Sequence, residues 1–278
     1  MIEGAKWRRW VYFYLPLGVF VFMLLFPFYW MLVTTFRPDA ELYRPWMAPN
    51  YTPFWTAHPT LDHIRYLFTE TLFGTWMVNT LFIALASTAI SLFCYALSRL
   101  KFPFAGSLGT GIFVTYLVPQ TLLFIPLADI IRNYHLGDTP WALILTYPTF
   151  LIPFCTWLLM GYFKAIPREL EECARIDGAT RWKAMVYIIF PIAVPGILSA
   201  GIFAFTLSWN EFIYALVFLS SPEQKTVPVG VTSELIRGDV FFWGPLMAGA
   251  LLGSIPVAIV YSFFVEHYVA GLTGSVKG

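Results

Sequence analysis

Glu169, Glu171, Glu172, Cys173 and Asp177 crowd into Pro167-Arg-Glu-Leu-Glu-Glu-Cys-Ala-Arg-Ile-Asp-Gly-Ala-Thr-Arg-Trp-Lys183, the one strongly charged, helix-patterned stretch of an otherwise apolar and aromatic chain. Pro167 suits the first position of a helix, where its missing N–H costs nothing. The three glutamates complement the positive end of the helix dipole. Leu170, Cys173, Ala174 and Asp177 recur at i, i+3, i+4 and i+7, a small and mostly apolar face. Gly178 supplies the left-handed stop, and Thr180 the N-cap of a second helix starting at Arg181. A face of small residues, exposed where a solvated helix carries Lys or Gln, lets another surface approach closely. That is recognition chemistry.

The other reactive group is Glu211, inside Ser208-Trp-Asn-Glu-Phe212 of an apolar run. An acid at such depth faces a bundle interior or a water-filled cavity. It either bonds neighbouring helices or lines a solute path, and Asn79, Gln120, Thr206, Ser208 and Asn210 are further polar candidates for that path. Each alone is more often an interhelical hydrogen bond. No Gly-x-x-x-x-Gly-Lys-Ser/Thr loop or nucleophile elbow accompanies them. Cys94, Cys155 and Cys173, and His58, His63, His135 and His267, have no disulfide or metal-ligand spacing. The expectation is a chain that is not an enzyme and binds no metal or cofactor.

The elements that position these residues are membrane spans. A chain of 278 residues that is 58% hydrophobic and 12% charged is no soluble domain. Six apolar runs reach the ~20 residues a bilayer demands: approximately Val11–Phe36, Met77–Leu97, Ser107–Ala128, Trp141–Phe163, Ile192–Leu219 and Trp243–Val265. The first follows Lys6, Arg8 and Arg9 but is too long for a signal peptide and lacks its cleavage site. It reads as an uncleaved anchor. With the N-terminus inside, Lys6, Arg8, Arg9, Arg99, Lys101, Lys164, Arg168, Arg175, Arg181, Lys183 and Lys277 are cytoplasmic. Arg37, Arg44, Arg65, Arg132, Lys225 and Arg237 are outside. Eleven of the 17 basic residues against six favour both termini in the cytoplasm, and the Glu172 stretch with them. A net charge of +1 with no basic tract gives no sign of nucleic acid.

Residues 37–76, rich in proline and aromatics, read as an ordered outer loop, and residues 220–242 as a second, polar one. Pro119, Pro126, Pro148, Pro153, Pro195 and Pro256 fall inside spans, tolerated where neighbours satisfy the freed carbonyls. Gly249-Ala-Leu-Leu-Gly253 reads as a helix-packing contact.

Glu172-Cys173-Ala174, Asp177-Gly178-Ala179 and Ile188-Ile-Phe-Pro191 resemble the cytoplasmic coupling motif of the membrane subunits of bacterial ABC importers. Cys173 replaces an alanine and Phe190 a leucine. Tyr95-Ala-Leu-Ser-Arg-Leu-Lys-Phe-Pro103, Ser208–Phe212 and the ending Val269–Gly278 resemble permeases of maltose-type sugar importers. The resemblance implies an all-α, polytopic type I permease fold in one domain, with six transmembrane helices and a coupling helix near 167–178. It further implies a homologous permease partner, two ATP-binding cassette subunits that hold ATP and Mg, and an extracytoplasmic solute-binding protein. The cargo it implies is a mono- or oligosaccharide or a polyol, with glycerol phosphate as the alternative, and the place is the bacterial inner membrane. Glu171, Glu172, Cys173, Ala174, Asp177, Gly178 and Ala179 become the ATPase-coupling residues. Gly271, Thr273 and Lys277 of the tail become candidate ATPase contacts. The competing class is an ion-coupled carrier titrating Glu211. Such carriers commonly show internal repeats and paired ionisable sites, and neither is evident here.

Overall fold

The computed structural model describes residues 7–45, 52–98, 111–112, 115, 117–164, 166–167 and 169–274. Lys6, Arg99, Lys101, Arg168, Lys277, most of the Tyr95–Pro103 match and much of residues 107–116 lie outside them. The described residues are mostly helical, with one short hairpin, and five helices are long and apolar enough to cross a membrane: Trp7–Phe36, Phe73–Phe93, Pro140–Phe163, Trp182–Trp209 and Trp243–Phe264. The remaining expected span, Ser107–Ala128, is only partly described. Its visible part is helical at Gly111 and Ile112, turns at Leu117 and Val118, and resumes as a helix from Gln120.

Packing gathers the chain into two compact units, residues up to Gly74 with Gly230–Ser254, and Thr75–Val229 with Ile255 onward. In the first, α1 (Leu15–Phe36) buries only Val33, Thr34 and Thr35. Arg37 caps its end and is 3% exposed. The guanidinium Nη2 donates to the carbonyls of Thr52 (2.6 Å), Pro53 (3.1 Å) and Trp55 (3.0 Å). Around this post stand α2 (Asp39–Leu42) and α3 (Asp62–Thr69), so the expected ordered loop is built on a buried cation. His63 on α3 binds the Arg37 carbonyl through Nε2 at 2.8 Å. Its ring lies so close to Gly244 that a Cβ there would collide with it. Arg37→Met keeps the stem but loses these charge-assisted bonds, each about 1.5–3 kcal/mol. Limited proteolysis within residues 52–61 should become markedly faster, with the spans intact.

The second unit is organised by α4 (Phe73–Ser98), α5 (Gln120–Asn133), α6 (Pro140–Thr146), α7 (Pro148–Lys164), α8 (Glu169–Ile176), α9 (Arg181–Ala184), α10 (Phe190–Trp209) and α11 (Ile213–Phe218). A π-helical turn, Met185–Ile189, joins α9 to α10. The small residues Ala193, Gly196, Ala200 and Ala204 make a stripe along α10, and α7 packs closely on that helix. At Gly196 a Cβ would lie 2.5 Å from the Tyr162 ring. Pro119 and Pro148 stand at helix starts, whereas Pro126, Pro153, Pro195 and Pro256 are carried inside helices.

Two expected boundaries are corrected. The fifth span does not run from Ile192 to Leu219. It occupies Trp182–Trp209, and Asn210–Phe212 break it from α11. Nor are residues 220–242 simply a loop. They hold a 3-10 turn, Pro222–Gln224, then α12 (Val227–Leu235) and the hairpin β1 (Ile236–Arg237) with β2 (Val240–Phe241). Val227, Val229, Val231 and Leu235 are buried, which makes α12 a packed element. The last helix, α13 (Trp243–Gly274), extends through Gly271 and Thr273 of the tail. Gly249 on α13 sits where a Cβ would touch Val231 at 3.0 Å, in keeping with a packing role.

Candidate functional site

The joint between α7 and α10 follows from its caps. Glu169, Glu171 and Glu172 occupy the first turn of α8 and Arg175 the last, both complementing the dipole. At its end Gly178 has φ +86°, its amide donates to the Arg175 carbonyl at 3.1 Å, and the Ala179 amide reaches back to Ala174 at 3.0 Å. This pair of bonds is a Schellman stop, which closes carbonyls a helix end leaves open. Two residues later Thr180 starts the next helix, its Oγ1 accepting the Lys183 amide at 3.3 Å and its carbonyl the Ala184 amide at 2.9 Å. Two capped helices thus share a joint of two residues, Ala179 and Thr180, which leaves the turn little freedom.

Two details differ from the sequence expectation. The helix begins at Glu169, with Pro167 before it. Ala174, expected on the open small face, is 5% exposed, and α8 packs against α9 and the π turn. Cys173, Glu172, Asp177 and Gly178 remain exposed, as does Ile176, at 84%. An aliphatic side chain that open beside four carboxylates was missed because the i, i+3, i+4 pattern assigned the apolar face elsewhere.

At the other end of α10, Glu211 fills the break. Its carboxylate accepts the Tyr214 amide at 2.8 Å, the Ala215 amide at 3.1 Å and the Tyr147 hydroxyl at 2.9 Å. It therefore caps α11 while gripping the turn between α6 and α7. The Tyr214 hydroxyl donates to the Gln120 carbonyl at 3.2 Å, which places Gln120 by the same cluster. Gln120 and Asn210 have exposed side chains, whereas Ser208 is 3% exposed. Thr206 bonds back to the Ile202 carbonyl. Asn79 is elsewhere: its amide donates to the carbonyls of Glu223 (2.8 Å) and Lys225 (3.1 Å). With Trp76 Nε1 on Pro222 and Thr80 Oγ1 accepting Val227 N–H, it fastens the segment after α11. Gly271 and Thr273 lie in α13, and Lys277 beyond the described residues.

The same segment is held from its other side by Asp138, a left-handed residue at φ +59°. Its Oδ1 accepts the amides of Ser220 (2.9 Å) and Ser221 (2.8 Å), and Oδ2 the Ser221 hydroxyl. The Ser221 hydroxyl and amide, with a lesser part from the Ser220 amide, hold the Asp138 carboxyl below the usual carboxylate range against the opposing effect of burial. A lowered value stabilises the clasp above the ordinary carboxylate pKa and loses that stabilisation as pH falls through the lowered one. At neutral pH the contribution is complete. Asp138→Asn should therefore raise amide exchange at Ser220 and Ser221 about tenfold at pH 7, the equivalent of one charged hydrogen bond. The difference from wild type should shrink in strong acid.

A helical protein of several membrane spans, with a rigidly capped helix between two of them, is built as the membrane part of a transport machine. The chain belongs to the family of binding-protein-dependent transport system inner membrane components, which matches residues 87–274. It is 37% identical over 263 residues, 91% of this chain and 89% of the relative, to the sulfoquinovosyl glycerol transport system permease protein SmoH of Agrobacterium fabrum. It is 35% identical over 265 residues, 91% of this chain and 92% of the relative, to the trehalose/maltose transport system permease protein MalG of Thermococcus litoralis. In fold it is similar to a chain of a bacterial ABC transporter involved in import of the acidic polysaccharide alginate, with TM-score 0.76 at 20% identity, over 93% of this chain and 95% of that one.

Proposed function

We propose that this chain is the permease subunit of an ATP-driven importer of a carbohydrate, forming the translocation path with a homologous permease. The observation that carries the reading is α8, a largely exposed helix with acids in its first turn and a Schellman stop at its end, fixed between two spans inside the family-matched region. Two ATP-binding subunits bind and hydrolyse ATP with Mg, and one of them receives α8. Its motion passes through the stiff Asp177–Thr180 joint to α7 and α10. Glu172, Cys173, Asp177 and Gly178 meet the ATPase, Glu171 and Ala179 stand half-open beside them, and Ala174 seats the helix on its own chain. Gly271, Thr273 and Lys277 bring the tail toward the ATPase pair. Both termini are cytoplasmic, as the distribution of basic residues favours, and a binding protein delivers the solute on the opposite side.

The sugar assignment is supported by relatives whose names concern sulfoquinovosyl glycerol, trehalose and maltose. A glycerol phosphate cargo is the alternative. Gln120 and Asn210 are the open polar residues for the path, with Glu211 beside them. An ion-coupled carrier built on Glu211 is disfavoured because three donors already occupy that carboxylate. Mild solubilisation and mass spectrometry test the assembly. A second permease and an ATP-binding subunit should copurify, and isolation of the chain alone would count against the reading.

A further inference from the structure

Two breaks and a proline in consecutive helices are tied together. A turn at Leu117 and Val118 precedes α5, Asn210–Phe212 separate α10 from α11, and Pro148 follows Tyr147 where α6 runs into α7, so that the Ile144 carbonyl has no helical donor. Glu211 takes the Tyr147 hydroxyl and caps α11 through the Tyr214 and Ala215 amides. Tyr214 in turn reaches the Gln120 carbonyl. Each of these residues lies at a break, beside the proline or in the first turn beyond a break. The rings of Tyr147, Phe150 and Tyr214 close round the cluster, with centroids 5.5–6.4 Å apart.

On one side of this layer α11 packs on α5 and α6. Asp138, in the link between α5 and α6, closes that tier by donating its amide to the Phe218 carbonyl at 2.8 Å and accepting the Ser220 and Ser221 amides. On the other side α7 and α10 pack against each other, locked at Gly196 against Tyr162. One apolar core runs through both tiers, so what divides them is the two breaks and the proline between them. At the breaks the i→i−4 ladder is open; at Pro148 it lacks one bond, while the Tyr147 amide still reaches the Leu143 carbonyl at 2.8 Å and the Leu151 amide the Tyr147 carbonyl at 3.0 Å, and a helix bends most readily at such a proline. Side-chain bonds hold the angle instead.

We propose that Glu211, gripped by Tyr147, is the pin of a hinge layer. The tier of α5, α6 and α11 turns as one body against the α7–α10 pair when the transporter changes state. Tyr147 is a positioning residue: it touches no solute and acts by orienting the carboxylate. The proposal rests on the reading of the chain as an ATP-driven permease.

Spin labels on the assembled transporter test it, in a background whose own cysteines are replaced and whose ATP-driven uptake is verified. Labels replace the exposed Tyr134 and Leu216 in one tier and the exposed Trp157 and Tyr187 in the other. Between the nucleotide-free and the ATP–vanadate states, the Tyr134–Trp157 distance should shift. Tyr134–Leu216 and Trp157–Tyr187 should hold. A fixed Tyr134–Trp157 distance, or a shift within either tier, overturns the hinge. Tyr147→Phe should cut uptake about tenfold, the worth of one bond to a charged acceptor, while ATP hydrolysis continues. Tyr147→Phe with Glu211→Gln should cost no more than the larger single loss. Wild-type uptake in Tyr147→Phe, additive losses, or uptake and hydrolysis falling together contradict the pin. A wild-type complex that takes up nothing with ATP would instead sink the importer reading, which separates the two failures.

Discussion

Replacing Gly178 by arginine should abolish uptake while the chain still reaches the membrane. The residue sits at φ +86°, where an L side chain costs roughly 1–2 kcal/mol. Nothing lies within 4 Å of a Cβ placed there, so the strain is in the backbone and not in a clash. Relieving it means giving up the bonds from Gly178 to Arg175 and from Ala179 to Ala174 that hold α8 to its joint. Arginine adds a long cation on the exposed surface beside Glu172 and Asp177. Gly178→Ala carries the strain alone and should retain reduced uptake. Membrane fractionation, copurification of the ATP-binding subunit and solute uptake report the three steps separately. Normal uptake by the arginine variant would remove α8 from the coupling role.

Gly196→Leu is the second large effect, and it acts on the lever that α8 is expected to drive. A Cβ at this position would lie 2.5 Å from Tyr162 Cγ and 2.6 Å from Cδ1, inside a packed helix pair. Two helices cannot accommodate that contact without moving apart, and an overpacked core typically loses about 1–3 kcal/mol. Leucine should sit at or beyond the upper end, because its branch follows the Cβ into the ring. Thermal unfolding of the purified complex should show a clear drop in midpoint. Adding Tyr162→Ala should recover part of it, since the two changes share one site. An unchanged midpoint would mean that α7 and α10 are not packed as described, and the joint would then have no stiff pair to push.

The sequence made the joint legible because its signals are local. Gly178 and Thr180 each announce a helix end through the chemistry of their own position, and both ends fall where those residues stand. The spans were legible for the same reason, since an apolar run of sufficient length is its own evidence. The break in the fifth span was not. Apolar residues flank Asn210-Glu211 on both sides, so hydropathy reads straight through, and only donors brought from Tyr147 and the following turn make a break stable there. The partners of Asn79 were not legible for the same reason, because they lie 144 and 146 residues further along the chain. Ala174 shows the remaining difficulty. Helical periodicity groups it with Cys173, and only packing separates the buried residue from the exposed one. The stripe Ala193, Gly196, Ala200 and Ala204 could have been found by its i, i+3, i+4 spacing, the signal that singled out Gly249 and Gly253.

The most direct test of the account is uptake by proteoliposomes holding the full assembly of this chain, its partner permease and the ATP-binding subunits, with the solute-binding protein supplied outside. Labelled sugar should accumulate only when ATP is enclosed and binding protein is present, and collapse of the proton gradient should leave the rate unchanged. Accumulation by this chain alone without ATP, driven by an ion gradient and lost in Glu211→Gln, would contradict it.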